Sequence, residues 1–469
     1  MPLAQVLIAV AMAADPCGPL DLNTALGLAA NRSDEVAIKQ ADVATAEVDV
    51  ALSRAIAFLP QSYAQVLVGP DPAARGNVTT DLAAPLIGTT QPGTKPPNTD
   101  NTNRSFNDLG VFERVDIQAI QPIWTWGQLS GARDAARAGL RARELLVDDT
   151  LSQVQLRVIQ LFWGEALARK FLAIAGDVEK ALADVDVQIA KSLKAEDGQV
   201  GPQDKFQVAL FRSELAGRKA EAIRGQELAR IGLAATLAIS QDRLRIKEID
   251  LVSSAAETPN LNDAISRAET ARPDLLALAA GIQAKKAEVQ AKEGALFPQV
   301  FIGAEFAYSY AYNRDIQYNP WVSDYFNTLS IGGAVGLRQD LGIPALIAQK
   351  NKAKAELLAI ERQRDGLRRL IDTQVESAVA ELKAAQARAS ASRDGQAAGK
   401  GWFRAAELDF EAGVGDAKAL LAAYRGYVES QISAAQASYD VLVARAKLDQ
   451  ATAVSLGPRS GGDATCTLQ

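Results

Sequence analysis

Long parts of the chain repeat apolar residues at alternating spacings of three and four, a pattern typical of helices that pack side by side. The clearest part predicts one helix from about 127 to 195, roughly 100 Å long at 1.5 Å per residue. A second long helix is predicted from about 345 to 410. Helices of this length cannot wrap around a compact core, so each should lie beside others like it. The apolar positions of the first are Leu151, Val154, Val158, Leu161, Ala168, Phe171, Val178, Leu182, Val185 and Ile189.

Glycine-rich breaks end both long helices and precede shorter returning helices. The first break is Gly198–Pro202, and the helix after it is predicted to run from Asp204 toward 240. The second is Gly413–Gly415, and its returning helix should end near 453. Glycine permits a sharp reversal, and an aspartate can cap the N-terminus of the helix that follows. We therefore expect Asp204 and Asp416 to be helix caps.

Two regions between the helices change to an alternation of period two, which predicts strands. Phe306, Tyr308, Tyr310 and Tyr312 alternate with small residues, and the same alternation occurs at 112–119 and 329–337. These regions predict two hairpins, at about 61–121 and 299–340, with four strands in total. An ordinary half-buried sheet is the commoner source of such alternation.

The long helices beside each hairpin argue instead for strands that lie in a membrane. An open four-stranded sheet leaves backbone groups unpaired at its edges, so it cannot lie in lipid by itself. Three copies of the chain would supply twelve strands, which is within the range of membrane barrels. In that setting Phe306, Tyr308, Tyr310 and Tyr312 should face lipid, and the small residues between them should face a water-filled bore.

The chain contains an internal repeat. Leu22–Leu26 (LNTAL) recurs as Leu261–Ile265 (LNDAI), 239 positions later, and FLPQ ending at Gln61 recurs as LFPQ ending at Gln299. The first copy is predicted over 20–240 and the second over 259–457, followed by a C-terminal tail at 458–469. In each copy a helix, predicted over about 22–58 in the first, precedes the hairpin. A repeat of roughly 200 residues is too long for a solenoid unit, so it indicates a duplicated half-protein.

Composition excludes several kinds of chemistry. The 50 basic and 56 acidic residues give a net charge of −6 without a basic block, which argues against nucleic acid as a partner. The absence of histidine removes the commonest metal ligand and general base. The two cysteines, Cys17 and Cys466, cannot form a zinc site. We expect no catalytic site, no metal and no cofactor, and therefore no enzyme.

Three features of the sequence each allow two interpretations. Residues 1–14 are an apolar run that ends in small residues, typical of a signal peptide or of an apolar helix end. Cys17 and Cys466 are either a pair or two unrelated thiols. Trp124 and Trp126 are either an interfacial anchor or ordinary packing residues.

Taken together, these features resemble the TolC family of outer-membrane efflux proteins. Both repeats carry L-x-x-A-[LI] and [LF]-P-Q, then a hairpin, then two helices joined at a Gly-rich tip. The resemblance covers about 20–457. It implies a homotrimer in the outer membrane, whose twelve-stranded β-barrel continues into an α-helical barrel across the periplasm. Its implied role is the exit duct of a tripartite efflux pump or type I secretion system.

The resemblance also implies partners and a docking site. A periplasmic adaptor (membrane fusion) protein and an inner-membrane transporter would supply the contact and the energy, while outer-membrane lipid surrounds the strands. The adaptor-facing positions are the two tips, with residues Gly198, Val200, Gly201, Asp204, Gly413, Val414, Gly415 and Asp416. The alternative from the residues alone is a duplicated coiled-coil structural or adhesive surface protein without transport activity.

Overall fold

The structure, a computed structural model, describes residues 19–59, 61–74, 104–195, 202–251, 258–312, 314, 326–412 and 414–459. Several residues of the sequence predictions lie outside these ranges. They are the apolar segment 1–14, Cys17, Cys466, Gly198, Val200, Gly201 and Gly413.

The described elements follow the order helix, helix, strand, strand, helix, helix, and then repeat it. The first set is α1 (Leu22–Arg32), α2 (Asp34–Ala55), β1 (Tyr63–Ala74), β2 (Arg104–Trp124), α3 (Gln128–Ala195) and α4 (Pro202–Thr236). The second set is α5 (Leu261–Ala271), α6 (Pro273–Gly294), β3 (Gln299–Ala311), β4 (Thr328–Arg338), α7 (Ile343–Glu411) and α8 (Ala417–Ala451). A 3₁₀ turn at Gln241–Arg243 follows the first set.

The helices of the two sets match in length. Those of the first set have 11, 22, 68 and 35 residues, and those of the second have 11, 22, 69 and 35. This confirms the predicted fold class, which is mainly helical with a small β part and a duplicated order of elements. The predicted bounds of the two repeats stay a prediction.

The prediction of a single helix over about 22–58 is wrong, because two helices occupy this range. Ser33 lies between α1 and α2 with an extended backbone, φ −65° and ψ 125°. Arg272 lies between α5 and α6 with φ −64° and ψ 125°, at the repeat offset of 239 positions. Pro273 disfavours helical backbone at Arg272. No proline follows Ser33, so the break in the first half has no local signal of this kind.

The two returning helices start differently. Asp416 is the N-cap of α8, as predicted, and its Oδ1 accepts a hydrogen bond from the backbone N–H of Ala419 at 2.7 Å. Asp204 was predicted to cap the first returning helix, and that prediction is wrong. The helix α4 begins at Pro202, which suits the first helical position because its missing N–H has no helical partner there. Asp204 therefore lies inside the first turn, where its negative charge interacts favourably with the helix dipole.

The two hairpins form one antiparallel sheet in the order β1-β2-β3-β4. The β2–β3 pairing, in which Phe112 lies opposite Ala311 and Gln118 opposite Glu305, joins the halves of the chain. Gln121 and Gln339 fix the strand ends of the two hairpins in the same way. The Nε2 of Gln121 donates to the carbonyl of Ala57 at 3.0 Å, and that of Gln339 donates to the carbonyl of Leu296 at 3.4 Å.

The described chain divides into two compact units. One is formed by Met1–Ala46, Gly139–Ile282 and Ala359–Gln469, and the other, which holds the sheet, by Glu47–Ala138 and Gln283–Leu358. The first unit has three apolar clusters. One is built from α1, α3 and α4, a second from the corresponding α5, α7 and α8, and a third from α3, α4 and α8. The repeat thus extends to the core.

Most of the apolar stripe predicted on α3 faces this core. Val154, Val158 and Leu182 are fully buried, and Leu161 packs partly buried against the first cluster. Phe162, which was not predicted, is also buried. In the part of the chain that the structure describes, none of the helices carries an apolar stretch that could span a membrane. The same part of the chain contains no group of three or more acidic, cysteine or histidine side chains that could hold a metal ion.

Candidate functional site

One side of the sheet, which we call the apolar face, is mostly hydrophobic, with Glu113 and Gln121 as polar residues on it. The register places Phe306, Tyr308 and Tyr310 on it, because Phe306 pairs with Ile117 and Ile331, and Tyr308 pairs with Val115 and Leu329. Tyr312 follows β3, and its backbone N–H donates to the carbonyl of Val111 on the neighbouring strand. Its side chains are mostly exposed in the single chain, and Ile331 is 77% accessible. Its members are Val66, Val68, Val111, Val115, Ile117, Ile302, Phe306, Tyr308, Tyr310, Leu329, Ile331, Val335 and Leu337.

The other side, the polar face, carries most of the charged and small residues, together with Leu67, Phe112 and Phe301. Arg114 and Asp116 form an ion pair on it with a nitrogen–oxygen distance of 2.8 Å. Glycines are frequent along its part of β4, with Gly332 opposite Glu305 and Gly336 opposite Phe301. Its other polar members include Gln65, Gln118, Ser309, Ser330 and Arg338. The two faces of the sheet therefore differ in polarity.

Aromatic residues lie at both ends of the apolar face. At one end the rings of Tyr310 and Tyr312 are in edge contact at 4.8 Å, and the Tyr312 hydroxyl donates to Glu113 at 3.3 Å. At the end where the strands meet the helices, Trp126 contacts both Trp124 and Phe297, with ring centroids 5.9 and 5.3 Å away. Trp124 lies opposite Val300. From Val300 to Tyr310, ten residues at a barrel strand tilt span about 26 Å, close to the apolar band of outer-membrane barrels.

The second helical tip is well defined at its described residues. The backbone N–H groups of Val414 and Gly415 both donate to the carbonyl of Asp409, at 3.0 and 2.9 Å, and close the end of α7. A Cβ at Gly415 would lie 3.0 Å from the backbone nitrogen of Phe410, so glycine fits the reversal. Val414 is 80% exposed. This tip thus offers a small apolar side chain on a tight turn.

The helices behind this tip are held by aromatic packing and ion pairs. The ring of Tyr424 on α8 contacts Phe211 on α4 at 6.4 Å and Phe403 on α7 at 5.1 Å. Burial raises the pKa of Tyr424 to about 12, so its hydroxyl stays protonated at neutral pH. Arg425 pairs with Glu214 on α4 at 2.9 Å. These contacts tie α8 to α4 across the two repeats.

The cap at Asp416 gives a direct prediction of stability. Asp416→Ala removes the acceptor for the Ala419 N–H and should lower the free energy of unfolding by about 1 kcal/mol. Asp416→Ser is the matched control, since serine keeps a capping oxygen and should retain most of the stability. Thermal unfolding followed by circular dichroism measures both. Equal stability of the wild type and the alanine variant would contradict the role of the cap.

The first tip is described only from the start of α4. Asp204 is buried there, with 9% of its surface accessible, while Phe206 one turn into the helix is 75% exposed. Sequence reasoning did not identify Phe206. It lies at the first helical turns together with Leu210, which is 60% exposed, so these two residues give this end of α4 an apolar stripe.

Comparisons with known proteins agree with this architecture. Residues 264–454 match the family described as outer membrane efflux protein. No curated protein matches the chain in sequence. The open-state MtrE outer membrane channel of Neisseria gonorrhoeae is 16% identical with a TM-score of 0.71, covering 96% of this chain and 91% of that one.

Two further solved structures share the fold over most of both chains. VceC from Vibrio cholerae, an outer membrane protein, is 14% identical with a TM-score of 0.69, covering 92% of this chain and 95% of that one. The outer-membrane channel OprN is 15% identical with a TM-score of 0.70, covering 93% and 91%. The outer-membrane location and the efflux role expected from the sequence are those in the description of the matched family. The resemblance inferred from the repeated motifs is confirmed: the chain has the fold of TolC-type outer-membrane channels, and its residues 264–454 match the outer membrane efflux protein family.

Proposed function

We propose that the protein is a passive exit duct in the outer membrane, serving a tripartite efflux pump or a type I secretion system. The observation that carries this proposal is the two-sided sheet. An apolar face bounded by aromatic residues suits lipid, and a polar face rich in glycine and paired charges suits a water-filled bore. No chemical step is needed for such a role.

The edges of the sheet support a homotrimer. Among the described strands, β1 pairs only with β2, and β4 pairs only with β3, which leaves one side of each without a partner strand. Unpaired backbone groups cost several kcal/mol each in hydrocarbon, so the edges must be paired in a membrane. Joining β4 of one copy to β1 of the next keeps the antiparallel order, and three copies give a closed barrel of twelve strands.

The tips are the proposed contact with a periplasmic adaptor, which in turn meets an inner-membrane transporter. The exposed Val414 and the tight turn at Gly415 support this, because small residues at a reversal let another helical hairpin approach closely. We include Gly198, Val200, Gly201, Asp204, Gly413 and Asp416 in the same proposal, by their place in the two breaks of the sequence.

Oligomeric state separates this proposal from the alternative of a coiled-coil surface protein. Purified from membranes in mild detergent, the protein should have a mass three times that of one chain and should resist dissociation. The reason is that closing the barrel is the only way to satisfy the strand edges in lipid. Native mass spectrometry or light scattering gives the answer. A stable monomer in the outer-membrane fraction would overturn the proposal, and recovery in a soluble or surface-shed fraction would favour the alternative.

A further inference from the structure

A compact group of side chains covers one end of the polar face, where β1 and β3 end away from the helices. We call it the outer cluster: Asp71, Phe112, Arg314 and Phe326. Asp71 is fully buried, and its Oδ1 lies 3.3 Å from Nη1 of Arg314, which follows β3. The pair therefore links the end of the edge strand β1 to the connection between β3 and β4.

Aromatic rings close over this ion pair. The guanidinium carbon of Arg314 lies 4.2 Å from the centroid of the Phe326 ring, a cation–π contact. Phe326 meets Phe112 edge to face at 5.5 Å and 88°. The Phe112 ring covers Gly69, where a Cβ would come within 2.8 Å of its Cε1, so a larger residue there would displace the ring. Gly69 and Phe112 lie directly opposite each other on the polar face.

Hydrogen bonds between side chains and backbone join Phe326 and Asn327 to β3. The Ser309 hydroxyl donates to the carbonyl of Phe326 at 3.1 Å, and the Ala311 N–H donates to Oδ1 of Asn327 at 2.9 Å. Ser309 and Ala311 are 2% and 1% exposed, although Gln65 on the same face of the sheet is exposed. The rings of Phe112 and Phe326 thus lie beside the small residues that were predicted to face the bore, at this end of the polar face.

The ion pair is buried, so we expect it to stabilise this arrangement. A buried carboxylate that loses its cationic partner is left uncompensated, which is strongly unfavourable. Oδ2 of Asp71 has no hydrogen-bond partner among the described residues. Among the same residues, Arg314 is the cation that pairs with this carboxylate. Removing either charge should therefore release the rings from the polar face.

We propose that the outer cluster narrows the outer end of the duct and sets the upper size of solutes that pass. The inference rests on the proposed function, because the polar face lines a bore only if the apolar face contacts lipid. In a trimer the cluster would occur three times around the bore. Asp71, Arg314 and Phe326 would then be specificity-determining residues, acting on solute size rather than on charge, since the ion pair is buried.

Thiol labelling from outside whole cells tests the inference. Gln65→Cys, in a chain with Cys17 and Cys466 replaced by serine, puts a thiol on the polar face about 20 Å along β1 from Asp71. Small and bulky membrane-impermeant maleimides are then compared. The parent should react with the small reagent only. Asp71→Asn and Arg314→Gln should each raise labelling by the bulky reagent about tenfold or more, the shift expected from losing one charge-assisted hydrogen bond.

Three controls make the result decisive. Glu305→Gln changes an exposed acid of the polar face outside the cluster and should leave the size limit unchanged. The exchanged pair Asp71→Arg with Arg314→Asp should restore the limit in part. Phe326→Ala removes a ring without removing a charge. It replaces a charge variant in the labelling test if that variant fails to assemble as a detergent-stable trimer.

The outcomes separate the inference from the proposed function. Equal labelling by the bulky reagent in parent and variants would overturn the inference. A thiol at 65 that resists even the small reagent, while Val66→Cys reacts with it, would show that the apolar face is not the lipid side and would overturn the proposed function.

Discussion

Arginine in place of Ile331 is expected to prevent assembly of the protein in the outer membrane. Ile331 is 77% exposed and lies opposite Phe306, near the middle of the apolar face. An arginine at the midplane of a barrel's lipid face costs about 2–4 kcal/mol per copy, and a trimer carries three copies. We expect little trimer in heated and unheated gels of the membrane fraction.

The neighbouring residue provides the matched control. Gly332 lies on the polar face opposite Glu305, and a Cβ there would meet no atom within 4 Å. Gly332→Arg therefore places the same charge one residue away, in open space beside an acid. It should assemble normally. If Gly332→Arg abolishes assembly while Ile331→Arg does not, the two faces have been assigned the wrong way round.

Tryptophan in place of Val414 is expected to abolish transport while leaving the trimer intact. Val414 is 80% exposed on the closed turn of the second tip, so a larger side chain can extend into solvent without disturbing the fold. An adaptor that meets the tip end to end could then no longer approach it closely. Efflux of a dye from cells that lack their own channel, measured beside trimer stability, separates docking from folding.

A second bulky substitution on the same helix controls for size alone. Gly395 lies within α7, about 27 Å from the tip at 1.5 Å per residue, and a Cβ there would meet no atom within 4 Å. Gly395→Trp should retain efflux wherever the trimer forms. Normal efflux from Val414→Trp would show that the second tip does not dock an adaptor.

The long helices were the most predictable part of the fold. Apolar spacing fixed α3 and α7 to within two residues at each end, because helices that pack along their whole length keep the pattern throughout. The break at Ser33 was missed, since no proline or glycine marks it. Its counterpart before Pro273 carries the signal, and applying the 239-residue offset to it would have located the break in the first half.

The faces of the sheet were predictable, but its pairing was not. Alternation assigned Phe306 and Tyr308 to one side, and the register confirms that they share it. The pairing of β2 with β3 brings Phe112 to Ala311 across almost two hundred residues, and no local pattern encodes such a contact. The ion pair of Asp71 with Arg314 depends on that pairing, so the sequence alone gave no sign of it.

The most direct test of the account is covalent closure of the barrel. In a chain without native cysteines, single thiols are placed at Gln65 or Leu67 on β1, together with one at Ser330 or Gly332 on β4, all on the polar face. Neighbouring copies in a closed barrel bring β4 of one chain beside β1 of the next. Oxidation of the outer-membrane fraction should give a ladder of bands that stops at three chains in at least one combination. Monomers in every combination, or a ladder that continues past three, would contradict a closed trimeric duct.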